Sequence, residues 1–465
     1  MKRRALLFLT VLSLFAVVPT VAWAGTVKPA VNSGDTAFVL ISAAMVMAMT
    51  APGLAFFYAG MVRKKNVMST IMFSFVALCL VSVQWVLWGY SIAFGPDRFH
   101  LFGSLAWLGL HGVGAAPNPD YSATIPAQAY MAFQLMFAAI TPALISGSLV
   151  ERMRFPAFLV FILAWATFVY DPLAHWVWGH GGWLAERGVL DFAGGTVVHI
   201  SSGVSGLVAA LVLGKRKGYG KEPMIPHNLP YTVLGAAMLW FGWFGFNAGS
   251  ALAANGLAAG AFVATNTAAA AAALSWLIVE WLHHGKPTAL GAASGSVAGL
   301  VAITPAAGFV TPVAAVIIGL SVGVICYLSV SLLKQKLGYD DALDAFGVHG
   351  IGGTWGALAT GLFATVGVNA AGANGLFYGN PSQLVTQLTG VAAAWGLAAA
   401  GTFVILKAVG LFFRLRASDG EETAGLDISQ HGETAYTDYV AAGSIIHAAA
   451  APHGVPGQER APATA

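Results

Sequence analysis

The sequence predicts an all-α integral membrane protein of eleven transmembrane helices, built as two inverted five-helix repeats plus one extra helix. Three observations carry this. Of 465 residues, 57% are hydrophobic and only 9% charged, against roughly 25% charged in a soluble domain. Eleven apolar runs have the length of a membrane crossing, about 20 residues. The basic residues fall almost wholly in alternate loops, the asymmetry that orients membrane proteins.

From the N-terminus, residues 1–24 read as a signal peptide. Lys2, Arg3 and Arg4 form its basic end, Leu6 to Val18 its short apolar stretch, and Ala22-Trp23-Ala24 its cleavage site. An uncleaved anchor helix is the alternative. The mature chain then begins outside, near Gly25. Residues 25–414 form the membrane domain, with spans at about 36–61, 67–93, 126–150, 155–172, 193–214, 230–248, 255–282, 288–304, 311–333, 345–366 and 384–413. With this count, Arg63, Lys64, Lys65, Arg152, Arg154, Lys215, Arg216, Lys217, Lys221, Lys286, Lys334, Lys336, Arg414 and Arg416 all fall on the cytoplasmic side. Only Lys28, Arg98 and Arg187 lie outside. Adding or removing one span breaks that pattern. Residues 415–465 form a cytoplasmic tail, polar and acidic at first and low in complexity beyond.

An internal repeat supports the inverted halves. "GLAFFYAG" in the first span matches "GWFGFNAG" in the sixth, aligning Phe57 with Phe246. The fifth and tenth spans each carry a histidine, His199 and His349, and each follows an aspartate, read as Asp191 and Asp344. Five helices per half is odd, so the halves run in opposite directions. In such folds the substrate path lies at their interface.

A histidine within a membrane helix is costly and needs a reason. Two at equivalent positions predict a shared site. They are too few for a metal, which takes three or four ligands, and no Cys, Asp or Glu at helical spacing completes a set. Haem ligation is the remaining cofactor reading for such a pair, and none is expected here. The spans also carry an aromatic and hydroxyl set: Phe133 and Phe137 in the third span, Trp176 and Trp178 at the outer end of the fourth, and Trp243, Phe246 and Ser250 at the outer end of the sixth. Aromatic faces can hold a small cation, with a hydroxyl accepting one of its protons; an interfacial aromatic belt is the plain alternative. Asp191 reads as a helix cap or as the cation's counter-ion. Asp171, before Pro172, reads as structural at a span end, and His283 and His284 as solvated loop residues. Cys79 and Cys326 read as small apolar fillers. No catalytic triad or nucleotide motif appears, so the chain is not expected to be an enzyme or driven by ATP. Its net charge of +3, without a basic cluster, argues against a nucleic-acid partner.

"FAGGTVVHI", "WFGFNAGS", "IPHNLP", "FGVHGIGG" and "GLDISQHGETAY" resemble the ammonium transporter (Amt/Mep/Rh) family, over about Gly34 to Tyr436. The resemblance implies a pore within each subunit, a homotrimer, and residence in a bacterial inner membrane. It implies that Phe137, Trp178 and Ser250 recruit ammonium on the outer side. Phe137 and Phe246 would gate the pore, His199 and His349 would line it, and Asp191 would support the outer site without touching the ion. The tail resembles a segment that folds on the cytoplasmic face, where bacterial members are blocked by a PII signalling protein. Ammonium can shed a proton and cross an apolar constriction as ammonia, whereas potassium has none to shed. An Rh-like gas channel and a membrane ammonium sensor signalling through its tail are the alternative readings, with a di-histidine metal or haem protein as a third.

Overall fold

The computed structural model describes residues 30–436. The signal-peptide expectation and the tail beyond Tyr436 lie outside them. Helices occupy all eleven apolar runs: α1 Ser33–Met61, α2 Lys64–Phe94, α3 Ala127–Ser146, α4 155–178, α5 Gly195–Leu213, α6 Leu229–Gly249, α7 Gly256–His284, α8 Ala289–Ile303, α9 Pro312–Leu337, α10 346–363 and α11 Ser382–Phe412. Among the described residues nine helices are long and apolar enough to cross a membrane. α8, at 15 residues, is shorter, and α10 is not among the nine.

Small residues let these helices approach closely, which accounts for glycine inside apolar runs. A methyl at Gly299 or Gly319 would strike the Ala268 carbonyl, locking α8 and α9 onto α7. Gly235 of α6 leaves room for the backbone of Phe57 on α1. Gly203 of α5 does the same for Gly350 of α10. Two pairs of corresponding helices, α1 with α6 and α5 with α10, therefore meet at glycine contacts.

The repeat is clearest at the histidine helices. His199 lies in a π turn, Gly195–Ile200, that runs into Ser201–Leu213. His349 lies in a π turn, Phe346–Gly350, that runs into Ile351–Phe363. Such turns recur where a helix is bent for function. The aspartate pairing read from the sequence is corrected here. The counterpart of Asp191 is Asp341, whose carboxylate accepts the N–H groups of Ala345 at 3.2 Å and Phe346 at 2.8 Å. Asp341 stands eight residues before His349, as Asp191 does before His199. Asp344 instead has φ +61° and pairs with Lys334 at 2.7 Å.

Two more expectations are revised. The fourth span does not stop at Pro172. A π turn, Ala166–Tyr170, absorbs the proline and the helix continues as Asp171–Trp178, so Asp171 is interior to α4. His283 and His284 end α7 rather than lying in a loop, and His283 Nδ1 is 2.7 Å from the Tyr327 hydroxyl.

The start of the tail is ordered against the helix ends. Ser418 and Glu421 form a capping box for Asp419–Ala424, a reciprocal pair that satisfies two helix-end donors. Lys65 Nζ donates to the carbonyls of Glu422 and Thr423, both at 2.8 Å. Asp427 accepts the N–H of Ser69 at 2.8 Å, and Asn66 accepts that of Leu426 at 2.8 Å. Beneath this contact lies a buried ionic cluster. Glu151 pairs with Arg63 at 3.0 Å and Arg216 at 2.9 Å, and Arg216 pairs with Asp340 at 2.8 Å. Burial alone would raise the Glu151 carboxyl, but Arg216 and Arg63 outweigh it and hold it below the ordinary range. Asp340 is held low in the same way, by Arg216 and Arg152 against burial.

Candidate functional site

The glycine crossing of α5 and α10 brings the two imidazoles edge to edge. Their ring centroids are 5.3 Å apart with 26° between planes, and Nδ1 of His349 is 3.2 Å from Nδ1 of His199. A hydrogen bond between two ring nitrogens needs a proton on one and a lone pair on the other. The geometry therefore fits one shared proton. Nε2 of His199 is buried and has no hydrogen-bond partner among the described residues.

A column of rings rises from this pair. Trp243 stacks on His199 at 5.3 Å and anchors its indole N–H on Thr304 Oγ1 at 2.8 Å. Phe246, one turn along α6, lies 6.1 Å from His199. Phe137 stacks on Phe246 at 4.1 Å and 23°, and Trp178 meets Phe137 edge-on at 6.0 Å and 89°. Phe133 packs against Phe137 at 4.9 Å. Ser250 donates its hydroxyl proton to the Phe246 carbonyl at 2.8 Å, which leaves its oxygen able to accept from a guest.

Asp191 sets this column in place. Its Oδ1 accepts the N–H groups of Gly194 and Gly195 at 2.8 and 2.6 Å, and its Oδ2 those of Thr196 and Val197 at 2.8 and 3.1 Å. Both oxygens are occupied by the helix start, which favours a cap over a direct counter-ion. Gly194, at φ +116°, makes the turn this wrapping needs.

Two small cavities lie along the histidines. One, of about 10 Å³, is bounded by Phe246, Trp243, His199, Phe57 and His349. The next, of about 40 Å³, runs from His349 past Phe57 to Tyr58, Ser294 and Asp344. A cavity of roughly 10–15 Å³ holds about one water molecule, so the upper space admits a guest of that size and no hydrated ion. Among the described residues no group of three or more His, Cys, Asp or Glu is placed to hold a metal.

Ring contacts thus link Trp178, Phe137, Phe246, His199 and His349 in one chain, with Ser250 bonded to the Phe246 carbonyl and the Asp191 carbonyl to Trp178. Trp176 turns away and donates to the Leu101 carbonyl at 2.8 Å. Trp243 has a place in the column that its position near the end of a span did not reveal, and Phe57 bounds both cavities. The alignment of Phe57 with Phe246 in the repeat was the available signal.

A family model described as Ammonium Transporter Family matches residues 37–436. The chain belongs to this family. An ammonium transporter of Bacillus subtilis is 59% identical over 405 residues, covering 87% of this chain and 99% of that one. Ammonium transporter Amt1 of Archaeoglobus fulgidus is 48% identical, covering 87% of this chain and 100% of the other. Among solved structures, Mep2 of Saccharomyces cerevisiae superposes with a TM-score of 0.81 at 38% identity, covering 88% of this transporter and 93% of its own chain. A structure titled Sensor Amt Protein gives 0.78 at 30% identity, covering 86% and 98%.

Proposed function

We propose that this family member transports ammonium by stripping the ion of its water and then of a proton. Ammonium is taken up against the aromatic faces of Trp178 and Phe137, with Ser250 accepting one N–H. Cation–π attraction of this kind contributes roughly 0.5–2 kcal/mol. Phe137 and Phe246 then separate, and the nitrogen passes as ammonia along the His199–His349 pair. The imidazoles hold it by hydrogen bonds, relay its proton, or both. Potassium has no proton to lose and must stay hydrated, so it is refused on chemistry rather than size.

The observation carrying this reading is the water-sized cavity at the paired imidazoles, beneath stacked phenyl rings. The wider arrangement belongs to the same proposal. It comprises a cleaved leader, eleven crossings of a bacterial inner membrane, Trp178 outside, the tail in the cytoplasm, a homotrimer, and a PII-type partner at the tail face. The test is current in proteoliposomes under an ammonium gradient with a potassium control. Ammonium-evoked current without potassium current supports the mechanism. Electroneutral ammonia flux supports a gas channel.

A second reading is a sensor. One structural relative carries that title, and the ordered tail of this chain reaches the end of α2 through Asn66 and Ser69. It predicts tight ammonium binding with negligible flux.

A further inference from the structure

Asp171 has no part in the column, yet it is buried inside a membrane helix at 0% exposure. Gln84 of α2 donates its amide N–H to Oδ2 at 2.7 Å. Asp171 Oδ1 and Gln84 Oε1 are both buried with no hydrogen-bond partner among the described residues. Gly89 makes room for this pair: Gln84 sits just before the π turn Trp85–Gly89, and a side chain at Gly89 would strike its amide. Thr167 extends the contact, accepting from Gln84 at 3.3 Å and from Trp88 at 3.0 Å.

Among the described residues no Lys, Arg or His forms an ion pair with Asp171. Tyr170 is the adjoining titratable group on α4. His175, one turn on, faces the Ala93 carbonyl and Asp97. From α2 the facing groups are the uncharged Gln84 and Trp88. A carboxylate there would be an uncompensated charge in an apolar interior, among the costliest arrangements a protein can hold. One proton on Oδ1 removes the charge. It also supplies a donor where the neighbouring amide oxygen lacks one.

We propose that Asp171 is a neutral carboxylic acid, donating to Gln84 while accepting from it, and that this acid–amide pair is a positioning element for Trp178. Trp178 stands seven residues on, two turns along the same face of α4. The pair fixes the end of α4 to α2, and so fixes the ring that receives the ion. The inference rests on the transport reading only for the role of Trp178; the protonation stands apart from it.

The test uses the full chain in lipid nanodiscs at neutral pH. Infrared difference spectra between wild type and Asp171→Asn should show a protonated-carboxyl C=O band in the wild type alone, and Gln84→Leu should shift it. Asn can make both bonds, so Asp171→Asn should keep the wild-type apparent ammonium affinity and Trp178 emission. Asp171→Leu should weaken affinity several-fold while Vmax changes less. Absence of the band, or its loss when ammonium is added, overturns the neutral acid. In the second case Asp171 is a cation site. Wild-type affinity in Asp171→Leu, or equal damage from Asn and Leu, overturns the positioning role. The infrared result is independent of whether the protein transports.

Discussion

The indole N–H of Trp178 donates to the backbone carbonyl of Asp191 across 2.8 Å, so the residue that caps α5 also holds the ring at the mouth of the column. One residue thus serves both ends: its carboxylate caps the start of the His199 helix, and its backbone carbonyl orients the aromatic site.

Trp178→Leu should therefore lose the ring and leave the cap. Apparent ammonium affinity should weaken several-fold, in line with roughly 0.5–2 kcal/mol of cation–π attraction, with thermal stability little changed. Concentration dependence of transport measures this; unaltered affinity would make Trp178 a belt residue.

Asp191→Asn should do more. An amide has one acceptor oxygen where the carboxylate accepts four N–H groups, and its own N–H₂ would face the remaining donors. Stranding buried donors costs about 1–3 kcal/mol each. A lower melting temperature together with a shifted Trp178 emission is expected. Asp341→Asn should cost less at the helix start, since among the described residues its carboxylate accepts two backbone N–H groups and the Ser148 hydroxyl, which can rotate to another acceptor. Equal losses at the two positions would refute this ranking.

Why Asp191 was legible and Asp341 was not has a physical answer. Both precede their histidine by eight residues, but the second lies in the run "YDDALDAF", where three aspartates compete and only backbone geometry chooses. The ring column was readable as residue types, because aromatics and histidines are conspicuous in apolar helices. Its order was not, since Trp243 meets His199 across a distance in sequence that no local pattern spans. The helix runs followed from hydropathy, whereas the π turn that carries α4 past Pro172 leaves no mark in composition. The charge cluster of Glu151, Arg216 and Asp340 is assembled from three separate loops, which no local pattern reveals.

Gly425 has φ +102°, and a Cβ there would press on the Lys65 backbone at 2.5 Å. Gly425→Val should undock the tail from α2 on both counts. Limited proteolysis should then cut near residue 425 in the variant and spare the wild type. Transport should fall while the assembled state, read by size-exclusion with light scattering, stays unchanged. Full activity in Gly425→Val would dissociate the tail from the passage.

Acid should weaken the same end of the molecule. Glu151 and Asp340 are held below the ordinary carboxylate range in the folded state. Their stabilisation is thus fully present above the unfolded values of about 4 and is lost as pH falls through the lower folded values. Melting temperature should drop on acidification below about pH 4, and Glu151→Gln should be less stable at neutral pH with a shallower acid dependence. An equally steep acid response in Glu151→Gln would assign the transition elsewhere.

The last prediction concerns the paired imidazoles. Two imidazolium rings with Nδ1 atoms 3.2 Å apart would repel and lack solvation, so the pair should titrate as a unit with one shared proton. His199→Asp or His349→Asp places an acidic group, and with it water, in the cavity between Phe246 and Tyr58. A hydrated cation then no longer has to shed its shell, and potassium rejection should relax. The double variant with both replaced by Ala should lose the relay and most of the ammonium current while the glycine-packed helices stay folded. Currents in reconstituted vesicles, under ammonium and separately under potassium, decide it. Normal ammonium current in the double alanine variant, with potassium still excluded by both Asp variants, would make the histidines packing residues and remove the proposed mechanism.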